Sequence, residues 1–227
     1  MIMRLMLFDV DGILVQSGSV KFDYWNAAVK NNFNLEVDKK SIYTHGKTDR
    51  EILFELIQLA GIKDPEKDKK FPKALNDLGR FFFEAIKNEK IKTIPGVEKF
   101  IQLLMKEDAA IGLLTGNTRE RAKAKLVNCG LWKYFEIGAF GDATKIRSEL
   151  VPIALKEARD KLGIGFDRKD VYLVGDTVRD IQCAKEAGVN IVAVATGKET
   201  VKQLQQEKPG YLFKDFRDSA KIINSIF

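Results

Sequence analysis

The stretch LMLFDVDGILV, residues 5–15, is apolar except for two carboxylates, Asp9 and Asp11. Side chains two residues apart in an extended chain face the same side, so these carboxylates are predicted to lie close together. Like charges at short distance repel and raise each other's proton affinity. The pair is therefore unfavourable unless it binds a cation, binds a substrate or forms part of a turn.

The start of this stretch belongs to one of four clear apolar runs in the chain, each of which ends in a small or acidic residue. The clear runs are 3–9, 109–116, 171–176 and 190–197, with weaker candidates at 136–140 and 211–213. Continuous apolar runs of this length are typical of strands that are covered on both faces, and helical patterns separate them. The alternation predicts an α/β fold in which helices cover both faces of a parallel sheet.

Residues 16–89 interrupt this alternation with helical periodicity and no convincing strand. The chain returns to the alternating pattern at Ile94-Pro95-Gly96, a turn that opens the next helix. The sequence therefore predicts a core made of residues 1–15 and 90–227, with an inserted α-helical domain at 16–89.

Polar side chains follow three of the predicted strands. They are Asp9 and Asp11, then Thr115-Gly116-Asn117, then Asp176 with Asp180. Each group alone has an ordinary explanation as a turn or a helix cap. Ligands of open parallel sheets bind outside the carboxyl ends of the strands, so together the groups predict one site. Four carboxylates in one crevice require a hard cation.

The composition narrows the classes of partner. The chain has 227 residues and a net charge of +6, with acidic residues mixed among the basic ones. That pattern disfavours nucleic acid and suits a small anionic molecule. Cys129 and Cys183 are too few for a disulfide framework. With no signal peptide and no apolar run of membrane-spanning length, we expect a cytoplasmic protein without a membrane partner.

Three motifs resemble those of the haloacid dehalogenase superfamily of phosphotransferases. DVDGILV at 9–15 is similar to the first motif, IGLLTGN at 111–117 to the second, and GDTVRD at 175–180 to the fourth. The helical insert and the IPGV return at 94–97 resemble the family's type C1 cap. The resemblance covers the whole chain and implies a Rossmann-like catalytic core with a C1 cap, similar to phosphoglycolate phosphatases.

The third motif departs from the family pattern, which places a lysine just before a proline-containing helix. The chain has TKIRSELVP at 144–152, without Lys-Pro. Arg147 stands nearest the lysine's place relative to Pro152, and Lys145 lies two residues upstream. We predict that Arg147 fills the role, because a guanidinium can bridge a phosphate oxygen and the nucleophile.

The resemblance implies that Asp9 attacks phosphorus to form an aspartyl-phosphate, and that Asp11 protonates the leaving alkoxide and later activates water. It also implies that Thr115 binds a phosphate oxygen, helped by the backbone N–H groups of Gly116 and Asn117.

The oxygen-only ligand set favours Mg²⁺ over zinc. The expected ligands are the Asp9 carboxylate, the backbone carbonyl of Asp11 and the Asp176 carboxylate. Asp180 would complete the metal site by orienting a ligand water.

The substrate is expected to be a small phosphorylated metabolite. Gly46 and Lys47 precede a helix start where Thr48 and Glu51 are predicted to form a capping box, so they could bind an anionic group. A well-capped helix without a binding role fits this segment equally well.

Three other functions stay open. A Schiff base on Lys47 would serve a phosphonoacetaldehyde hydrolase, and the same core could serve a sugar-phosphate mutase. The chain could also be an inactive binding module. The sequence leaves a monomer and a homodimer equally open.

Overall fold

The computed structural model describes residues 3–16 and 20–227. Its strands are β1 (Arg4–Phe8), β2 (Ala109–Thr115), β3 (Ile137–Phe140), β4 (Val171–Gly175), β5 (Asn190–Val194) and β6 (Tyr211–Phe213). They form one sheet in the order β3-β2-β1-β4-β5-β6, and every neighbouring pair is parallel. All six coincide with apolar runs predicted as strands, including the two weaker candidates.

Helices cover both faces of this sheet. They are α4 (Val97–Leu104), α5 (Arg119–Asn128), α6 (Leu150–Leu162), α7 (Val178–Ala187), α8 (Val201–Gln206) and α9 (Ser219–Ile226). The alternation of β1 shows how one strand serves both layers. Met6 and Phe8 pack in the cluster that includes α4, α5 and α9, whereas Leu5 and Leu7 pack in the cluster that includes α6, α7 and α8. The predicted fold class is confirmed.

Among its described residues, the segment between β1 and α4 contains three further α-helices, α1 (Tyr24–Phe33), α2 (Asp49–Leu59) and α3 (Phe71–Ile86). They bury their own apolar cluster, which includes Trp25, Leu53 and Phe71. We call this segment the cap. Its predicted bounds, 16–89, stay a prediction, and residues 17–19 lie outside the described residues.

The two chain connections between core and cap pair with each other. Val15 and Thr93 form an antiparallel bridge, the Gln16 N–H donates to the Lys92 carbonyl, and the Ile94 N–H donates to the Leu14 carbonyl. Both connections therefore leave the core side by side, which keeps the cap over the strand ends of the sheet.

None of the helices in residues 3–16 and 20–227 has the length and apolar composition needed to cross a membrane.

Candidate active site

Adjacent strands bring the predicted site residues to one edge of the sheet. Asp9 follows β1, Thr115 ends β2 and Asp176 follows β4, and these three strands are neighbours. A cavity of about 120 Å³ lies at this edge, between core and cap. Its lining includes these predicted residues: Asp9, Asp11, Gly46, Lys47, Gly116, Asn117 and Arg147. The other three, Thr115, Asp176 and Asp180, are buried.

Three carboxylates converge in this site. Oxygens of Asp9, Asp176 and Asp180 all lie within 4.8 Å of one another, and all three residues are buried. Oδ1 of Asp176 is buried and has no hydrogen-bond partner among the described residues. Both oxygens of Asp180 are engaged, because Oδ1 accepts from Arg147 at 2.6 Å and Oδ2 accepts from the Thr177 hydroxyl at 2.7 Å.

Burial and this crowding raise the pKa values of two of these carboxyl groups. Burial, with Asp180, Asp9 and Asp11 nearby, raises the pKa of Asp176 to about 9. Burial also raises the pKa of Asp9 to about 6, although Arg147 opposes the shift. A buried carboxylate with an unpartnered oxygen beside other carboxylates is a suitable ligand set for a hard divalent cation, which would offset their repulsion. The residues present therefore fit a bound metal ion.

Two glycines allow the backbone to approach Asp176 closely. Gly12 has a φ of +86°, and a Cβ there would lie 2.3 Å from Oδ2 of Asp176. A Cβ at Gly197 would lie 1.6 Å from the same oxygen. A side chain at either position would displace the Asp176 carboxylate, so the shape of the acidic cluster depends on both glycines.

Arg147 and Lys145, the two candidates for the third-motif cation, lie in different surroundings. Arg147 is buried, and its Nη2 lies 3.3 Å from Oδ1 of Asp9. Lys145 instead forms an ion pair with Glu66 of the cap at 2.7 Å, and its ammonium lies 3.7 Å from the centre of the Phe54 ring. The geometry thus places Arg147, rather than Lys145, beside the predicted nucleophile.

Asn117 connects the second strand to the first. Its side-chain amide donates to Oγ of Thr115 at 3.0 Å and to Oδ2 of Asp11 at 2.8 Å. Its backbone N–H donates to Oγ of Thr115 at 3.2 Å, so this amide is already engaged rather than free for a phosphate. The Thr115 hydroxyl accepts both bonds and keeps its own proton available for donation.

Lys125 is a site residue that the sequence did not reveal. Its buried ammonium lies 2.5 Å from Oδ2 of Asp11 and 2.8 Å from Oδ1 of Asn117. Although burial acts to raise the pKa of Asp11, Lys125 and Asn117 outweigh it and lower that pKa to about 2. The neighbouring carboxylates alone would raise the pKa of Asp11, so this lysine, with Asn117, reverses the direction of the shift.

Arg121, one helical turn before Lys125, links core and cap. Its guanidinium binds Oδ1 of Asp49, and both residues are buried. Oδ2 of Asp49 accepts from the Thr118 backbone N–H at 2.6 Å. The only sequence signal for Arg121 and Lys125 is their spacing of four, which places them on one face of α5.

The predicted anion site at the start of α2 looks different in the structure. Thr48 caps the helix, because its hydroxyl oxygen accepts from the Glu51 N–H at 3.1 Å. Within the described residues, the Glu51 side chain does not make the reciprocal bond to the Thr48 N–H that would complete a capping box. The N–H groups of Asp49 and Arg50 donate to the core carbonyls of Gly116 and Gly141. The first-turn amides therefore join cap to core and are not free for an anion.

Gly46 and Lys47 line the cavity, but their polar groups are also engaged. The Lys47 ammonium binds the Glu55 carboxylate and lies 3.7 Å from that of Glu51. The Gly46 carbonyl accepts from Nη1 of Arg147 at 3.5 Å. Their role in substrate binding stays a prediction.

Comparisons with known proteins agree with this arrangement. Residues 6–194 match the model of the haloacid dehalogenase-like hydrolase family. Probable phosphatase IndB of Dickeya dadantii is 26% identical over 219 residues, which cover 94% of this chain and 90% of the relative. Phosphoglycolate phosphatase of Synechococcus elongatus is 23% identical over 99% of each chain.

A crystal structure with the same fold is that of a predicted phosphoglycolate phosphatase from Haemophilus somnus. It has a TM-score of 0.67 and 23% identity, and the match covers 97% of this chain and 98% of the other. The family match spans the strand-end motifs and the cap that the sequence resemblance rested on. The predicted superfamily is confirmed, as is the prediction of an enzyme: the chain belongs to the haloacid dehalogenase-like hydrolases.

Proposed function

We propose that this protein is a Mg²⁺-dependent phosphatase that hydrolyses a small phosphate monoester through an aspartyl-phosphate on Asp9. One observation carries the proposal. Asp9 lies beside a buried guanidinium and two further buried carboxylates, at the wall of a cavity between core and cap, with Asp11 two residues away. This arrangement combines a nucleophile, a cation for the phosphoryl charge and a candidate proton donor.

Asp9 supplies the attacking oxygen. The guanidinium of Arg147 lies near Oδ1 of Asp9 and fixes the orientation of that carboxylate. The new bond joins an Asp9 oxygen to phosphorus while the bond from phosphorus to the leaving oxygen breaks. Arg147 neutralises charge that develops on the transferring group, and the Thr115 hydroxyl donates to one of its oxygens.

Asp11 transfers a proton in each of the two steps. It gives a proton to the leaving alkoxide, and in the second step it takes one from the water that attacks the aspartyl-phosphate. That hydrolysis releases inorganic phosphate and regenerates the Asp9 carboxylate. Because Lys125 keeps Asp11 ionised in the structure, Asp11 has no proton to give at first. It has to leave this partner and take up a proton, from solvent or from a monoprotonated substrate phosphate, before it can donate to the leaving oxygen.

The proposed metal ligands are the carboxylates of Asp9 and Asp176 and the backbone carbonyl of Asp11. Asp180 is bound on both oxygens and acts by holding Arg147 and Thr177 in place. Mg²⁺, when bound, would neutralise the carboxylate cluster and polarise the phosphoryl group.

The cavity favours a small substrate, because the cap docks directly over it. Relatives named as phosphoglycolate phosphatases support the same substrate size. The alternative in which Lys47 forms a Schiff base is weaker, since its ammonium is paired with the Glu55 carboxylate.

A phosphate-release screen over small phosphorylated metabolites, with and without Mg²⁺, tests the proposal. We expect release that depends on Mg²⁺ and on Asp9, and a covalent phosphoprotein in rapid-quench samples. Asp9→Asn keeps the shape of the side chain but removes the nucleophile, so turnover and the phosphoprotein should both disappear while thermal unfolding stays cooperative. Substantial turnover by Asp9→Asn would rule the mechanism out.

A further inference from the structure

A second cavity, of about 490 Å³, adjoins the site on the far side of Asp11. The two cavities share four lining residues: Asp11, Lys39, His45 and Arg121. A leaving group that departs toward Asp11 would therefore enter a space whose walls come from both core and cap.

The charges around this space are unbalanced. Arg121 is paired with Asp49, and Lys125 is paired with Asp11. Lys39, at the start of a short turn of the cap, forms no ion pair with any carboxylate in the described part of the chain. Burial and the positive charges of Arg121 and Lys125 lower the pKa of Lys39 to about 8, and Asp49 and Asp11 offset only part of this effect.

Unsatisfied hydrogen-bond donors lie at the smaller cavity, which Trp25 and Arg121 both line. The indole Nε1 of Trp25 and Nε of Arg121 are both buried and find no acceptor within residues 3–16 and 20–227. Trp25 lines the smaller cavity, and the ammonium of Lys39 lies 5.1 Å from the centre of its ring. Buried donors are nearly always satisfied in native proteins, so this group suits a ligand that brings acceptor oxygens.

Resting on the phosphatase function proposed above, we propose that the leaving group of the substrate carries a second anionic group, which Lys39 and Trp25 of the cap bind. A carboxylate and a second phosphate share the required chemistry, namely negative charge and several acceptor oxygens. An ammonium and an indole N–H can each donate to such a group, and neither can accept from it.

Matched substrate pairs test this inference. 2-Phosphoglycolate is compared with 2-hydroxyethyl phosphate, which replaces the carboxylate by a neutral alcohol. Propane-1,3-diol bisphosphate is compared with 3-hydroxypropyl phosphate in the same way. The ratio of kcat/KM within each pair measures recognition of the second anion and shows whether a carboxylate or a phosphate is preferred.

We expect the wild type to favour the anionic member of at least one pair by about 10–100-fold, the effect of a hydrogen bond to a charged group. Lys39→Met should reduce that ratio at least about tenfold. Trp25→Phe, which keeps a ring but removes the N–H, should reduce the ratio less. Lys40→Met is the matched control, because Lys40 is the exposed neighbour of Lys39, and it should leave the ratio unchanged.

The outcomes separate the two proposals. Hydrolysis of charged and neutral members at equal rates, or a ratio that Lys39→Met leaves intact in a normally folding variant, would overturn the inference while leaving the phosphatase function standing. Absence of phosphate release from every member, together with a negative metabolite screen, would overturn both.

Discussion

The ammonium of Lys125 lies 2.5 Å from Oδ2 of Asp11, so the predicted proton donor is held as a carboxylate by a buried cation from the next strand–helix unit. The folded protein therefore carries Asp11 in the form that accepts protons. Donation to a leaving group requires that this ion pair be rearranged when substrate enters.

The Asp11–Lys125 pair should be measurable in a double-mutant cycle. About a third of the Asp11 side chain is exposed (34%), so solvent screens the pair, and we expect Lys125→Met to cost about 1–2 kcal/mol rather than the 3–5 of a fully buried pair. Asp11→Asn combined with Lys125→Met should cost less than the sum of the two single changes. Urea unfolding of the four proteins measures this, and additive costs would contradict the pairing.

The same pair has a pH signature with a defined sign. The pKa of Asp11 in the folded protein is about 2, below the usual 3.8. The stabilisation from the pair is therefore fully present above about pH 4 and is lost as the pH falls towards 2. Lys125→Met should flatten this part of the stability curve.

Without a bound metal, the buried carboxyl groups of Asp176 and Asp9 should make stability depend on pH in the opposite direction. The folded protein retains protons on Asp176 and Asp9, whose pKa values are about 9 and about 6, whereas the unfolded chain has released them above about pH 4. Without a divalent cation, stability should therefore fall as the pH rises from about 4 to 9. Mg²⁺ should raise the Tm more at pH 8 than at pH 5.

At about 100 times its Kd, Mg²⁺ should add about 2.7 kcal/mol, which is several degrees in Tm for a chain of this size. Calorimetry of the wild type, Asp176→Asn and the exposed control Asp64→Asn measures the effect. The gain should be lost in Asp176→Asn alone, and a gain of equal size in all three proteins would remove Asp176 from the metal site.

Substitutions at Arg147 and at Lys145 should have clearly different effects on kcat. Arg147→Ala removes the cation beside Asp9 and should cut kcat by about 10²–10³. Arg147→Lys should recover only part of this loss, because an ammonium does not bridge two oxygens in a fixed plane. Lys145→Ala breaks a contact with the cap and should change kcat by less than about threefold. The reverse order of damage would transfer the third-motif role to Lys145.

Asp49 should control how tightly the cap closes. Asp49→Ala leaves Arg121 without its carboxylate, and the cap can relieve that cost by opening and admitting water. The N–H groups of residues 49 and 50, which donate to core carbonyls, should then exchange with solvent at least about tenfold faster. Hydrogen-exchange mass spectrometry measures this, with Asp64→Ala as a control on the same cap, and unchanged exchange would refute the clamp.

The sequence was sufficient for the sheet and for the acidic side of the site. Parallel strands place their carboxyl ends along one edge, so the sequence alone is enough to group Asp9, Thr115 and Asp176. Asp180 lies in the first turn of α7, three residues after the N-cap Thr177.

The basic side of the site could not be predicted in the same way. In TRERAKAK, residues 118–125, the cations look like an exposed helix face. In the structure Arg121 and Lys125 are buried, Arg121 against Asp49 of the cap and Lys125 against Asp11 of the core. Which face becomes buried depends on contacts distant in sequence, such as that with Asp49. The prediction of a reciprocal capping box at Thr48 and Glu51 was wrong for the same reason, since the Glu51 carboxylate lies near the cations of Lys47 and Arg179 instead.

Two of the bonds between cap and core join main-chain atoms: the first amides of α2 donate to the carbonyls of Gly116 and Gly141. Replacing a side chain does not delete such bonds. The cap can therefore keep its position over the nucleophile while the residues that face the leaving group change during evolution. The exceptions are the two glycines, where an added Cβ would lie 2.3 Å from the Lys47 carbonyl oxygen and 1.9 Å from that of Gly116. This scaffold can therefore acquire new substrate preferences by drift without rebuilding its chemistry, provided that those two positions remain without side chains.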